Sequence, residues 1–171
     1  TVFDVKCTSL LPKVISENGG EPIMSRTGHS FIKQKLKETK AELAGEMSGH
    51  IFFKDRWYGF DDALYTAARL LEIVSKSDKS CSEIFDEFPV NLSTPEININ
   101  FEKHGEQFDA MAKLSSNINF PGATINTIDG VRVDYENCWG LVRASNTTPC
   151  LVLRFEANDN ELLGEIKSKF I

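Results

Sequence analysis

Gly45-Glu46-Met47-Ser48-Gly49-His50 runs straight into Ile51-Phe52-Phe53, and the reading of that junction decides the fold. The apolar triplet has the character of a buried strand, and the six residues before it are polar and bracketed by glycines, which let a backbone approach a ligand closely. Such a strand would hold the loop rigidly at a sheet edge, where α/β proteins commonly carry binding loops. Glu46 can accept hydrogen bonds from neighbouring hydroxyls, Ser48 can donate or accept, and His50 can exchange a proton near neutral pH. Together they suit a polyhydroxylated ligand. Spacing alone reads the same stretch first as an ordinary solvated loop, polar because it is exposed.

Upstream, residues 1–5 alternate as a strand ending at Lys6. Residues 9–18 set Leu10, Leu11, Val14 and Ile15 on one helical face, with Pro12 confined to the first turn and Gly19-Gly20 as the stop. A short strand at 21–24 and a helix at 30–39 follow, the helix with Phe31, Ile32 and Leu36 inward and lysines on a solvated face. Downstream of the loop, Asp61 and Asp62 precede a helix in which Leu64, Ala67, Ala68, Leu71 and Val74 recur at helical spacing. Two adjacent carboxylates there read as N-terminal caps rather than as metal ligands. Strand and helix alternate to about residue 75, which predicts an α/β layer on a largely parallel sheet.

The pattern then changes. Residues 75–82 are polar, 81–88 read as one short helix, and 89–95 form an extended stretch between Pro89 and Pro95, the best linker in the chain. The expected domains are therefore 1–89 and 90–171. In the second, a strand at 97–101 leads to a helix at 106–115 with Phe108, Met111, Ala112 and Leu114 inward. A hairpin of residues 124–128 and 131–135 turns at Asp129-Gly130. Strands at 139–143 and 150–157 follow, and a helix at 158–170 closes the chain with Leu162, Leu163, Ile166 and Phe170 inward. This predicts an antiparallel α+β sandwich with both helices on one face.

Between the last two strands lies Arg143-Ala144-Ser145-Asn146-Thr147-Thr148-Pro149. An arginine fork, hydroxyls, an amide and backbone N–H groups in a tight turn suit a phosphate dianion. Each of these residues also favours a plain turn for its own reasons.

With 171 residues, 41% of them hydrophobic, the chain can bury a real core. A net charge of −6 argues against nucleic acid or an anionic membrane as partner, since nothing neutralises a run of phosphates. No apolar run approaches the roughly 18 residues of a membrane span. Cys7, Cys81, Cys138 and Cys150 are far apart with no Cys-x-x-Cys pair; four reduced thiols, at least two of them buried, are expected, which fits the cytoplasm. The chain opens at Thr1 without a methionine and is expected to be an excerpt of a longer polypeptide.

Gly45 to His50 resembles the sugar-binding loop of the α-D-phosphohexomutases, and the form with Met47 is most similar to their phosphomannomutase/phosphoglucomutase branch. Val2-Phe3-Asp4-Val5-Lys6, Thr27-Gly28-His29, Gly59-Phe60-Asp61-Asp62-Ala63, Asp129-Gly130-Val131-Arg132 and the run from Trp139 to Thr147 follow in the family's order over nearly the whole chain. The resemblance implies a truncated mixed α/β third domain lacking its first strand, followed by a fourth domain with a TATA-binding-protein-like antiparallel sheet and two helices. That likeness concerns fold alone and implies no DNA binding.

The activity the resemblance implies is interconversion of hexose 1-phosphate and hexose 6-phosphate through a phosphoserine enzyme and a bisphosphorylated sugar. By the same resemblance, Glu46 and Ser48 hold sugar hydroxyls. Arg143, Ser145, Asn146 and Thr147, with Thr148 beside them, grip the non-transferring phosphate. Lys6, His29 and His50 surround the sugar, His50 as a candidate proton donor or acceptor. Read without the family, His29 and His50 default to structural roles and His104, in a charged turn, to none. The implied cofactors of the full-length enzyme are Mg2+ and glucose 1,6-bisphosphate. The family's Ser-His-Asn-Pro phosphoserine loop and Asp-x-Asp-x-Asp-Arg magnesium loop do not occur in this sequence, so no metal ligand is expected here and the chain alone is expected to be inactive. The implied partners are mannose and glucose phosphates and the missing N-terminal domains, in a monomer. Two alternatives stand beside this reading: a phosphoglucosamine mutase, whose loop usually carries Gln where Met47 stands, and a non-catalytic sugar-phosphate-binding module.

Overall fold

The computed structural model describes residues 1–171, which divide into two units, Thr1–Val90 and Asn91–Ile171. Unit 1 runs β1 (Val2–Asp4), α1 (Leu10–Glu17), β2 (Ile23–Ser25), α2 (His29–Thr39), β3 (Leu43–Gly45), β4 (Ile51–Phe53), α3 (Ala63–Ser75) and α4 (Cys81–Asp86). Its sheet has the order β2-β1-β3-β4, with β1 parallel to β2 and β3 and only β4 antiparallel. The largely parallel sheet predicted from the alternation is therefore present.

That order reverses at β1. Through α1 the chain steps from β1 to β2 on one side, and through α2 it crosses back over β1 to β3 on the other. Crossovers in opposite directions, right-handed as a rule, place their helices on opposite faces, and such a reversal is where open α/β sheets form ligand crevices at the carboxyl ends of the strands. Below α2, Ile32 and Leu36 pack with Val2, Ala44 and Phe52 as the buried core of the unit. Helix α1 stops where its glycines require: Gly19 takes φ +76°, and the Gly20 and Gly19 N–H groups donate to the carbonyls of Ile15 and Ser16, a left-handed C-terminal cap.

Helix α3 departs from the sequence expectation. Leu64 and Leu71, on the predicted inward stripe, are 85% and 66% exposed, and no residue of the helix is buried. The face turned toward the unit is instead Tyr65, Arg69 and Glu72. Tyr65 stacks on Trp57 at 4.2 Å, and the Arg69 guanidinium lies 4.4 Å over the Phe53 ring. Periodicity reports that an apolar stripe exists, not which element covers it, and within unit 1 nothing does.

Unit 2 comprises β5 (Leu92–Ser93), β6 (Ile97–Asn100), α5 (Glu106–Ser115), β7 (Thr124–Asn126), β8 (Val131–Asp134), β9 (Cys138–Ala144), β10 (Cys150–Ala157) and α6 (Asn160–Ser168). The wholly antiparallel sheet has the order β5-β10-β9-β8-β7, with β6 also paired to β10. Met111 from α5 and Ile166 from α6 close over Val131, Val133, Val142, Leu151, Leu153 and Phe155, so both helices lie on one face as expected.

Two local readings are corrected. Leu92 and Ser93, assigned to the linker, pair with Ala157 and Glu156 as the short strand β5. On α5 the buried positions are Gln107 and Met111, whereas Phe108 and Leu114 are 43% and 48% exposed. A buried glutamine at the first turn shifts the inward stripe. All four cysteines are free thiols, Cys7 and Cys150 buried.

Candidate functional site

Unit 1 gathers its polar groups where the parallel strands end. The Asp4 side chain, fully buried at the end of β1, accepts from Met47 N (3.1 Å), Thr27 Oγ1 (2.9 Å) and Cys7 Sγ (3.1 Å). A buried carboxylate is tolerable only when so satisfied. Its donors come from three segments, so this one side chain ties the end of β1 to the turn after β2 and to the loop after β3. Sequence reading gave Asp4 no role. A lone carboxylate closing an apolar strand was the available signal.

The turn after β2 depends on Gly28, whose φ of +125° disfavours any side chain and whose N–H donates to Glu46 Oε2 at 2.9 Å. Glu46 N–H donates to the His50 carbonyl and Gly49 N–H to the Glu46 carbonyl, each at 2.9 Å, so the loop is the tight connection of the β3–β4 hairpin. Glu46 is only 8% exposed, and its Oε1 is buried with no hydrogen-bond partner. Ser48 is exposed at the tip, and Lys6 is buried just past β1.

His29 opens α2, and its ring centroid lies 6.5 Å from that of His50. His50 Nδ1 makes a 2.6 Å hydrogen bond with Asp61 Oδ2. That bond points the Nδ1 proton toward the carboxylate and leaves Nε2 as the ring nitrogen open to another partner. Of the two acids read as caps, only Asp62 caps α3, accepting from Tyr65 N at 2.9 Å; Asp61 serves His50. Thus Lys6, His29, Glu46, Ser48 and His50 lie on three adjacent segments at the carboxyl ends of β1, β2 and β3, beside the reversal in strand order where ligand crevices form.

In unit 2 the Arg143–Thr148 loop joins β9 to β10. Arg143 is 5% exposed and donates through Nε to Asp129 Oδ2 at 2.9 Å. Ser145 is buried, its Oγ accepting from Thr147 N (3.3 Å) and Thr148 N (3.2 Å) and sharing a 2.8 Å bond with Thr148 Oγ1. Asn146, Thr147 and Thr148 are exposed.

Gln107 supports the loop from beneath. Fully buried, it accepts from Gly105 N at 2.8 Å and donates through Nε2 to the carbonyls of Ser145 (3.3 Å) and Thr148 (3.4 Å). Neither Gln107 nor Asp129 was picked out as functional from sequence; Asp129 read as a turn residue. His104 is exposed and stands edge-on to Phe108 at 5.9 Å.

Comparisons with known proteins agree along the whole chain. Residues 1–91 match the family described as phosphoglucomutase/phosphomannomutase, alpha/beta/alpha domain III, and residues 96–171 match the phosphoglucomutase/phosphomannomutase C-terminal domain. A phosphomannomutase/phosphoglucomutase of Pseudomonas putida is 56% identical over 169 residues, and a phosphoglucomutase of Neisseria gonorrhoeae 54% over 170. Those alignments take in 99% of this chain but only 36% and 37% of the relatives, so the chain spans little more than a third of their length. A crystal structure of a phosphoglucomutase/phosphomannomutase family protein from Burkholderia thailandensis superposes with a TM-score of 0.91 at 50% identity, over 99% of this chain and 35% of that one. No helix is long and apolar enough to cross a membrane. With both units matched, in order and end to end, the chain belongs to the phosphoglucomutase/phosphomannomutase family.

Proposed function

We propose that this chain is the sugar- and phosphate-recognition part of a cytoplasmic, monomeric phosphomannomutase/phosphoglucomutase that interconverts hexose 1-phosphates and 6-phosphates through a bisphosphorylated sugar. The observation that carries the reading is Glu46 Oε1, a buried carboxylate oxygen without a donor. Leaving such a group unpaired costs about 1–3 kcal/mol or more. A fold tolerates that where a ligand supplies the missing donor, and a sugar hydroxyl does so.

Each residue then has a task. Glu46 Oε1 and Ser48 Oγ hold hydroxyls common to both orientations of the sugar, which lets one pocket accept the bisphosphate either way round. His50, oriented by Asp61, exchanges a proton at Nε2 with the hydroxyl that gains or loses the phosphoryl group. Lys6 and His29 add positive charge and a further donor at the same strand ends. In unit 2, Arg143 and the exposed Asn146 and Thr147 take the non-transferring phosphate. Ser145 shapes that turn, and its 3.2–3.3 Å bonds from Thr147 N and Thr148 N are long enough for a phosphate oxygen to replace it as acceptor.

Phosphoryl transfer in the family draws on a magnesium ion, which offsets charge on the migrating group. No three His, Cys, Asp or Glu side chains of this chain converge as a metal site, so the residues present do not fit the ion. On this reading the metal and the phosphoserine belong to parts of the enzyme outside these 171 residues, and the chain alone transfers no phosphoryl group.

Calorimetric titration of glucose 1-phosphate and mannose 1-phosphate into the chain tests the proposal. Saturable binding of both is expected, with Glu46→Ala and Arg143→Ala each weakening it about tenfold or more. Equal affinity in wild type and both variants would sink it.

A further inference from the structure

Gly130 lies opposite Arg143 where β8 pairs with β9, and the approach there is unusually close. A Cβ at Gly130 would stand 2.2 Å from the Val142 carbonyl oxygen and 2.6 Å from Arg143 Cα, at a φ of +79°. Only glycine permits this contact. It brings the preceding residue, Asp129, against the Arg143 side chain, where the Oδ2–Nε bond measures 2.9 Å and both side chains are 6–7% exposed. The pair is therefore built by the backbone and shielded from water, so neither its geometry nor its charge is diluted by solvent.

We propose that Asp129 is a positioning residue that also limits how tightly the Arg143 loop holds phosphate. The inference rests on the reading of that loop as a phosphate site. A guanidinium has five N–H donors; Asp129 occupies the one on Nε and fixes the plane, so a phosphate meets the Nη1 and Nη2 donors end-on. The same carboxylate offsets the arginine's charge, so the dianion meets a buried pair of near-zero net charge rather than a bare cation. Binding then rests on directed hydrogen bonds and remains readily reversible. Reversibility is what an enzyme needs if its bisphosphorylated intermediate must let go, turn round and bind again.

Two substitutions separate orientation from charge. Asp129→Asn keeps an oxygen acceptor for Nε–H and removes the negative charge; Asp129→Ala removes both. Inorganic phosphate is titrated into the chain, with affinity from calorimetry and the Arg143 Nε–H resonance followed by NMR. The Asn variant is expected to bind phosphate about 3- to 10-fold more tightly than wild type, and the Ala variant more weakly. A residue that merely braced the hairpin would shift both in the same direction, so parallel weakening overturns the proposal, as does no change in either.

Wild type supplies a reading independent of whether the variants fold. The Arg143 Nε–H resonance should stay near its starting position as phosphate saturates, because that proton remains on Asp129. A large shift of that resonance would mean that phosphate displaces the carboxylate, which contradicts the proposal. Failure of wild type to bind phosphate at all would instead strike the phosphate-loop reading, and the inference would fall with it.

Discussion

Gln107→Ala tests how the phosphate loop is held. The side chain is fully buried and makes three hydrogen bonds: one strong, from Gly105 N at 2.8 Å, and two long, to Ser145 O and Thr148 O at 3.3 and 3.4 Å. At about 0.5–1.5 kcal/mol per bond, with the long ones at the low end, their loss costs roughly 2–3 kcal/mol. Truncation also empties the space of four heavy atoms, adding about 1 kcal/mol. A total of about 3–4 kcal/mol in a unit of this size lowers the melting temperature by on the order of 10–30 °C. Urea unfolding followed by circular dichroism, with amide shifts at residues 145–148 as the local readout, measures it. Gln107→Glu is the companion, since it can still accept from Gly105 N but sets a carboxylate against two carbonyls. A loss under about 1 kcal/mol for the Ala variant, or a neutral Glu variant, would refute the claim that Gln107 shapes the loop.

Three further outcomes follow from particular contacts. Gly130→Ala combines left-handed strain with a 2.2 Å clash against the Val142 carbonyl and should destabilise by about 2–5 kcal/mol in urea unfolding, whereas a change within experimental error would mean the hairpin is looser than described. Hydrogen bonds from Arg56 and then from Lys76 hold the Glu72 carboxyl at about 2, below its ordinary 4.5. A folded-state pKa depressed in this way contributes stability above the ordinary value that is lost as pH falls through about 2; carboxyl NMR titration should find that midpoint in wild type and a rise toward 4.5 in Arg56→Ala. Among the thiols, Cys81 is exposed, Cys7 and Cys150 are buried, and burial pushes the Cys138 thiol pKa up. Reaction with DTNB near pH 8 should therefore show one fast thiol that Cys81→Ser removes, and a second fast phase would contradict the assignment.

Much of this was legible in the sequence because the decisive residues obey local rules. Alternating elements announced the parallel sheet, and Asp129-Gly130 announced a hairpin. The Gly45–His50 loop was legible as the polar connection running into a strand, β4. What stayed hidden depended on partners distant in the chain. Asp4 is a single carboxylate until Thr27 and Met47, 23 and 43 residues away, are found to donate to it. Gln107 is one polar residue on an amphipathic helix until its amide is seen beneath a loop 38 residues further on. Asp61 and Asp62 look equivalent as neighbours and diverge because only one sits at the helix boundary. Helix α3 shows the converse limit. Its apolar stripe is real in sequence, yet Leu64 and Leu71 face outward while the helix docks through Tyr65 and Arg69.

The roles proposed for the Gly45–His50 and Arg143–Thr147 loops are tested most directly by residue-resolved NMR of the chain titrated with glucose 1-phosphate. Saturable shifts are expected at Glu46, Ser48 and His50 in unit 1 and at Arg143 to Thr147 in unit 2. Shifts confined to the Arg143 loop, or none in either loop at millimolar ligand, would contradict those roles.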